Sequence, residues 1–171
     1  MTDNTTDLPE AKKTAFGLYL TAKEAYEQWQ ANPEVVIIDV RTPEEFLFVG
    51  HPPMAWMIPA IAQEYAWDEE KENYPMTMLP DFVERVKQVA SPDDTIMTMC
   101  RSGGRSAIAA NLLAQAGFKT VYNIIDGMEG DVNSDSESVS QHKGEHGGWK
   151  NSGCPWTKKL TPARLLLPPS E

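Results

Sequence analysis

A cysteine followed by a short basic and glycine-rich stretch is the part of the chain best suited to chemistry. Cys100 precedes Arg101 and Arg105, and Gly103 and Gly104 lie between these two arginines. Adjacent glycines let consecutive backbone N–H groups point to one spot, and the arginines add permanent positive charge there. A cysteine at the mouth of such a cradle is expected to be held as the reactive thiolate. The pattern predicts a loop that holds an anionic group bonded to the sulfur of Cys100.

The flanking residues predict a strand and a helix that position this loop. Residues 95–100 are mostly apolar or β-branched, which indicates a buried strand, and residues 107–116 are nearly all helix formers that end at Gly117. The helix would direct the positive end of its dipole toward Cys100. An inert strand-end cysteine is the plain alternative, but it does not need this set of arginines and glycines. A Walker phosphate loop is excluded because no lysine followed by Ser or Thr closes the glycine run.

Further helices and strands can be read from local signals. Thr21 with Glu24, and Thr42 with Glu45, form two capping boxes, each expected to start a helix. A third helix is expected to open at Pro80 and Asp81 and to run to about residue 91. The remaining strands are expected at residues 17–20 (an edge strand), 35–40 (an inner parallel strand) and 120–125.

The stretch from Cys100 to Ser106 resembles the active-site loop of the rhodaneses, the thiosulfate and persulfide sulfurtransferases. Residues 36–46 resemble the first strand of that family with its Asp-Val-Arg turn, and residues 50–53 resemble its Gly-His-x-Pro segment. Residues 126–128 and 148–150 resemble its C-terminal end. The resemblance implies a rhodanese-like α/β fold: one domain with a central, mainly parallel sheet and helices on both faces.

The resemblance also implies a double displacement on sulfur. The Cys100 thiolate would take the outer sulfur from thiosulfate or a persulfide donor, and a thiol, a protein cysteine or cyanide would remove it. Arg101 and Arg105 are expected to orient the anionic donor. The backbone N–H groups expected to hold the bound sulfur are those of Ser102, Gly103, Gly104, Arg105 and Ser106. No metal and no organic cofactor is expected, because positioning and electrostatics suffice.

Two other functions are open to a chain with this resemblance. Phosphatases and arsenate reductases of the same fold carry five residues between the cysteine and the arginine, whereas residues 101–104 provide four here. A tighter loop fits a single sulfur better than a tetrahedral phosphorus. The second alternative is a sulfur carrier or docking module for a partner protein, and the intact Cys100 argues against an inert version of it.

Length, charge and cysteine usage narrow the class further. The 171 residues suit one domain and are too few for a two-lobed rhodanese. A net charge of −10 argues against nucleic acid and anionic membranes as partners. Cys100 and Cys154 are not a disulfide framework, and neither a signal core nor a bilayer-spanning apolar run is visible. We therefore expect a cytoplasmic protein.

The predicted partition is a flexible arm over 1–13, a rhodanese domain over 14–157 and a tail over 158–171. A polar loop inserted at about 131–148 would lie near the active-site rim, where we interpret it as an acceptor-docking element. His142 and His146 have a spacing of four, but the nearby glycines disfavour a helix and no third ligand follows. No metal site is predicted there.

Several chemically suggestive residues are better explained by packing. Asp39, Arg41 and His51 are expected to fix loops and turns. Cys154 is expected to be a small packed hydrophobe, with a role in resolving or receiving the sulfur of Cys100 as the alternative. An aromatic section is expected to pack in the core or under a lid, with a hydrophobic wall beside the active site as the alternative; its members are Trp56, Tyr65, Trp67 and Tyr74.

Overall fold

The computed structural model describes residues 7–131 and 147–170. Its centre is a five-stranded sheet in the order β1-β7-β6-β2-β3, in which every neighbouring pair is parallel. The strands are β1 (Tyr19–Leu20), β2 (Val36–Asp39), β3 (Trp56–Met57), β6 (Thr95–Met99) and β7 (Thr120–Ile124). A separate antiparallel pair joins β4 (Ile61–Gln63) to β5 (Met76–Met78). The α/β class and the parallel sheet expected from the sequence are confirmed.

In the described ranges, four α-helices cover the sheet. They are α1 (Ala22–Ala31), α2 (Pro43–Phe48), α3 (Phe82–Val86) and α4 (Gly104–Gln115). Both predicted capping boxes are present: the Thr21 hydroxyl accepts from the Glu24 N–H at 3.2 Å, and the Thr42 hydroxyl accepts from the Glu45 N–H at 3.3 Å. These contacts satisfy backbone donors that a helix start would otherwise leave unpaired. None of the helices in the described ranges is long and apolar enough to cross a membrane.

The core consists of two apolar layers, one on each face of the sheet. Side chains alternate along a strand, so Ile96 and Cys100 of the β6 region face one layer while Met97 faces the other. The first layer includes Ala109 and Leu113 of α4. The second layer is completed by α1, Trp149 and Cys154. The two cysteines therefore pack on opposite faces of the sheet.

The third helix is shorter than its sequence predicts. It ends at Val86, although the apolar pattern continues to Val89, which still packs against the core. The N–H groups of Gln88 and Val89 donate to carbonyls three residues back, at 3.2 and 3.0 Å. The chain has therefore tightened into 3₁₀-type turns, a local choice that the apolar spacing does not encode.

The described parts of both terminal segments pack against the sheet. Glu10–Lys12 forms a 3₁₀ turn, and the Lys12 carbonyl accepts from Asn123 Nδ2 at 2.9 Å. At the other end, Leu165 bridges Met57 of β3, and the Leu166 N–H donates to the Met57 carbonyl at 2.9 Å. The described part of the predicted arm is thus not free, and the predicted tail extends the sheet edge.

Candidate active site

The sulfur of Cys100 lies inside the loop that joins β6 to α4. The Gly103 N–H donates to Cys100 Sγ at 3.1 Å, and the Ser106 hydroxyl lies 3.3 Å from the same sulfur. The Cys100 residue is only 1% exposed. A hydrogen bond from a fixed donor is stronger to a negatively charged sulfur than to a neutral one. The loop is therefore built to stabilise a sulfur anion and to shield it from bulk water.

The conformation of Gly103 makes this contact geometrically feasible. Its φ of +107° is a conformation that residues with a Cβ rarely adopt, and a Cβ there would lie 2.6 Å from the Ile125 carbonyl oxygen. Gly104 differs, because a Cβ built on it meets nothing within 4 Å. Of the two predicted cradle glycines, only Gly103 is required by the backbone.

A buried amide side chain holds the loop from the sheet side. Asn123 of β7 donates from Nδ2 to the Gly103 carbonyl at 3.0 Å, and its Oδ1 lies 2.6 Å from the Ser106 hydroxyl oxygen. Because a hydroxyl carries one proton, Ser106 donates either to Asn123 or to Cys100 at a given moment. Asn123 is not among the site residues predicted from the sequence; a polar residue within an apolar strand was the available signal.

Arg105 is locked in an ion pair with Glu45 of α2. Its Nη1 and Nη2 donate to Oε1 and Oε2 of Glu45 at 2.5 and 2.9 Å. Burial alone would raise the pKa of Glu45, but the hydrogen bond and charge of Arg105 outweigh it and lower that pKa. Burial would lower the pKa of Arg105, but Glu45 and the Cys100 charge raise it. Arg105 is thus a fixed cation beside the sulfur, while Arg101 is half-buried at the loop's start.

The turn after β7 fixes the carbonyl side of the loop. The Met128 N–H donates to the Cys100 carbonyl at 2.9 Å, and the Glu129 N–H donates to the Arg101 carbonyl at 3.0 Å. Gly127 permits this approach, because a Cβ on it would lie 2.5 Å from the Arg101 carbonyl oxygen. The family resemblance predicts this turn but not its contact with Cys100.

Asp39, Arg41 and His51 are structural, as expected. Arg41 donates from Nε and Nη2 to the buried Asp39 carboxylate at 2.9 and 2.7 Å, and Nη2 also donates to the Gly50 carbonyl at 2.7 Å. His51 Nδ1 lies 2.8 Å from the Phe46 carbonyl oxygen. These contacts hold the two ends of α2 and so hold Glu45 in place beside Arg105.

Cys154 is buried away from the reactive loop. Its pKa is raised by burial and by the negative charges of Asp126 and Glu27. A thiol with a raised pKa is a poor nucleophile at neutral pH. The contacts support the packing role that the sequence analysis preferred.

The core or lid packing expected for the aromatic section is wrong for three of its four residues, whereas Trp56 packs against the first core layer as expected. Tyr65, Trp67 and Tyr74 are 75%, 47% and 54% exposed, so they do not pack in the core or under a lid. Trp56 is half-buried, with the Arg164 guanidinium over its ring at 4.8 Å. The predicted docking loop, with His142 and His146, lies almost entirely outside the described residues. The described ranges contain no group of three or more His, Cys, Asp or Glu residues that could hold a metal ion.

The sequence of the chain matches that of a known protein family. The sequence profile of the rhodanese-like domain matches residues 21–134, and the chain belongs to the rhodanese-like domain family. The strand, cysteine loop and helix described above lie within the matched range. The family and fold expected from the residues are therefore confirmed.

The relatives include a protein that is named as a thiosulfate sulfurtransferase. An uncharacterised protein of Rickettsia conorii is 31% identical over 137 residues, which are 80% of this chain and 94% of the relative. Thiosulfate sulfurtransferase 16, chloroplastic, of Arabidopsis thaliana is 38% identical over 90 residues, covering 53% of this chain and 68% of that protein. The crystal structure of Rv0390 from M. tuberculosis superposes with a TM-score of 0.64 at 25% identity, covering 85% of this chain and all of the other.

Proposed function

We propose that this protein is a sulfurtransferase that carries a sulfane sulfur as a persulfide on Cys100. The observation that carries the proposal is the position of Cys100 Sγ, 3.1 Å from the inward-pointing Gly103 N–H at the start of α4. Membership of the rhodanese-like domain family, and the name of the related thiosulfate sulfurtransferase of Arabidopsis thaliana, support the same reaction class.

The chemistry is two successive displacements on sulfur. The Cys100 thiolate attacks the outer sulfur of thiosulfate, a new S–S bond forms, and sulfite leaves with the electron pair of the broken donor bond. A thiolate or cyanide acceptor then attacks the terminal sulfur, and Cys100 leaves as the thiolate. Donor and acceptor balance the electrons, so the cycle needs no further oxidant or reductant.

The loop supplies charge stabilisation at each stage. The outer sulfur of a persulfide is negative, and the N–H groups of residues 102–106 are the donors proposed for it. Arg101 and Arg105 are proposed to orient the donor's anionic oxygens. Glu45 neutralises much of the Arg105 charge, so in this scheme Arg101 contributes most of the attraction for the donor.

The deciding experiment is the intact mass of the protein after incubation with thiosulfate. We expect a gain of one sulfur atom, lost again on addition of cyanide with formation of thiocyanate. Cys100→Ser should show neither the mass gain nor the transfer, whereas Cys154→Ser should show both. Hydrolysis of an aryl phosphate without any mass gain would replace this proposal with a phosphatase. A cytoplasmic site of action stays a prediction.

A further inference from the structure

The β4-β5 region exposes an unusual amount of apolar surface. We call residues 61–78 the acidic hairpin. It exposes three aromatic rings, Tyr65, Trp67 and Tyr74, and Met76 and Met78 are 45% and 50% exposed. An exposed patch of large apolar side chains on a protein with net charge −10 marks an interaction surface.

The acidic hairpin is ordered rather than frayed at its tip. The Asp68 carboxylate accepts from the N–H groups of Glu70 and Lys71, both at 3.0 Å, and the Asp68 N–H donates to the Asn73 carbonyl at 2.9 Å. The rings of Trp67 and Tyr74 pack edge to face with centroids 5.2 Å apart. The exposed rings are therefore presented in a defined arrangement, which lowers the entropy lost on binding.

An apolar cavity of about 340 Å³ adjoins the base of this hairpin. Its walls include Pro59, Ala62, Tyr65, Leu79 and Leu167, with Glu44 at its polar side. The volume suits one or two apolar side chains of a polypeptide.

The cavity is connected to the catalytic loop through α2. The Tyr65 hydroxyl donates to Glu44 at 2.9 Å on the cavity side. The next residue, Glu45, holds Arg105 of the Cys100 loop. A polypeptide seated in the cavity would therefore contact α2 one residue before the side chain that holds the Cys100 loop.

Charge selects the occupant of this surface. Between residues 64 and 72 the chain carries five acidic residues, Glu64, Asp68, Glu69, Glu70 and Glu72, and one basic residue, Lys71. A second copy of this chain would bring its own net charge of −10 to the contact and be repelled. Nucleic acid and anionic membranes are disfavoured for the same reason. A polypeptide with basic and apolar residues complements both properties of the surface.

We propose that the acidic hairpin and the adjoining cavity dock a basic, apolar segment of a protein sulfur acceptor, whose thiol then meets the persulfide of Cys100. This inference rests on the proposed sulfurtransferase activity for its chemistry, but the docking can be measured without it. The apolar side chains of the acceptor fill the cavity, and its lysines or arginines face the carboxylates of the hairpin.

Binding is tested with a fluorescein-labelled peptide of alternating leucine and lysine that contains one cysteine. A peptide with glutamate at every lysine position is the matched probe. We expect the basic peptide alone to bind, and Glu69→Lys with Glu70→Lys to weaken it about tenfold. The control protein carries Glu27→Lys and Glu34→Lys, which make the same change in net charge at other exposed positions. Its affinity for the basic peptide should be nearly unchanged at physiological salt, because charges are screened there beyond about 8 Å.

Transfer kinetics distinguish this inference from the proposed function. The Glu69→Lys, Glu70→Lys protein should lose about tenfold in kcat/KM for transfer to the basic peptide while retaining transfer to cyanide, which needs no docking. Equal rates with the basic and acidic peptides, together with normal cyanide transfer, would overturn the docking surface alone. No persulfide on Cys100 would overturn the proposed function, and the peptide affinity would then decide the docking. A dimer in sedimentation that the hairpin substitutions dissociate would identify a self-association surface instead.

Discussion

Replacing Gly103 with alanine should damage both stability and catalysis, whereas replacing its neighbour Gly104 should damage neither. At Gly103 a Cβ costs about 1 to 2 kcal/mol for the left-handed backbone. It also lies 2.6 Å from the Ile125 carbonyl oxygen, and such overpacking costs about 1 to 3 kcal/mol. The combined loss in free energy of unfolding is about 2 to 5 kcal/mol.

Catalysis should fall because the strain turns the Gly103 N–H away from Cys100 Sγ. Losing one oriented donor typically costs about 100 to 1,000-fold in turnover. Gly104 opens α4 with open space around its Cα, so alanine there should raise the free energy of unfolding by up to about 1 kcal/mol through helix propensity.

Urea unfolding of the two variants, at equal m-values, gives the stability difference. The rate of sulfur transfer from thiosulfate to cyanide, corrected for the folded fraction measured by circular dichroism, gives the difference in catalytic activity. If Gly103→Ala proved as stable and as active as Gly104→Ala, then neither the left-handed turn nor its N–H would matter, and the reasoning about the cradle would be wrong.

Three further substitutions test the surroundings of the loop. Glu45→Gln should lower the free energy of unfolding by about 1 to 3 kcal/mol at neutral pH. Because the pKa of Glu45 in the folded protein lies below its ordinary 4.5, this difference should be fully present above pH 4.5 and disappear as the pH falls through the lowered pKa. Urea midpoints of the two proteins measured across pH test this. Asn123→Asp removes the amide donor to Gly103 and adds negative charge near Ser106, so kcat for cyanide should fall about tenfold or more, with the leucine-lysine peptide binding unchanged. Cys154→Ser should leave transfer kinetics unaltered, since that thiol packs on the other face of the sheet; a lowered rate would make it a participant.

The features predictable from the sequence are those set by neighbouring residues. The Thr42 and Glu45 capping box works over three positions, and the strand before Cys100 shows its burial in an apolar run. The function of Glu45 beyond the cap was not visible, because its partner Arg105 lies 60 positions away. Such a pair is formed by the parallel sheet, which brings α2 and the Cys100 loop to the same edge.

The predictions for the exposed aromatic rings and for the end of α3 were wrong for a related reason. The local sequence around an aromatic residue such as Trp67 is typical of a core position, and only the tertiary structure shows that 47% of this residue stays exposed. The apolar spacing through Val89 is satisfied equally by a helix and by 3₁₀ turns, since both place Val89 against the core. Periodicity reports which residues are buried more reliably than it reports the backbone between them.

Backbone groups, more than side chains, carry the contacts around Cys100. The Cys100 and Arg101 carbonyls accept from residues 128 and 129, the Gly103 carbonyl accepts from Asn123, and the Gly103 N–H faces the sulfur. With their carbonyls held outward in this way, the peptide units of the loop are left with N–H groups available to the cradle. The sequence therefore specifies the site largely through Gly103 and Gly127, which lack the Cβ that would prevent the close backbone contacts of the loop. The chemistry of the site depends on the fold staying intact around those two positions.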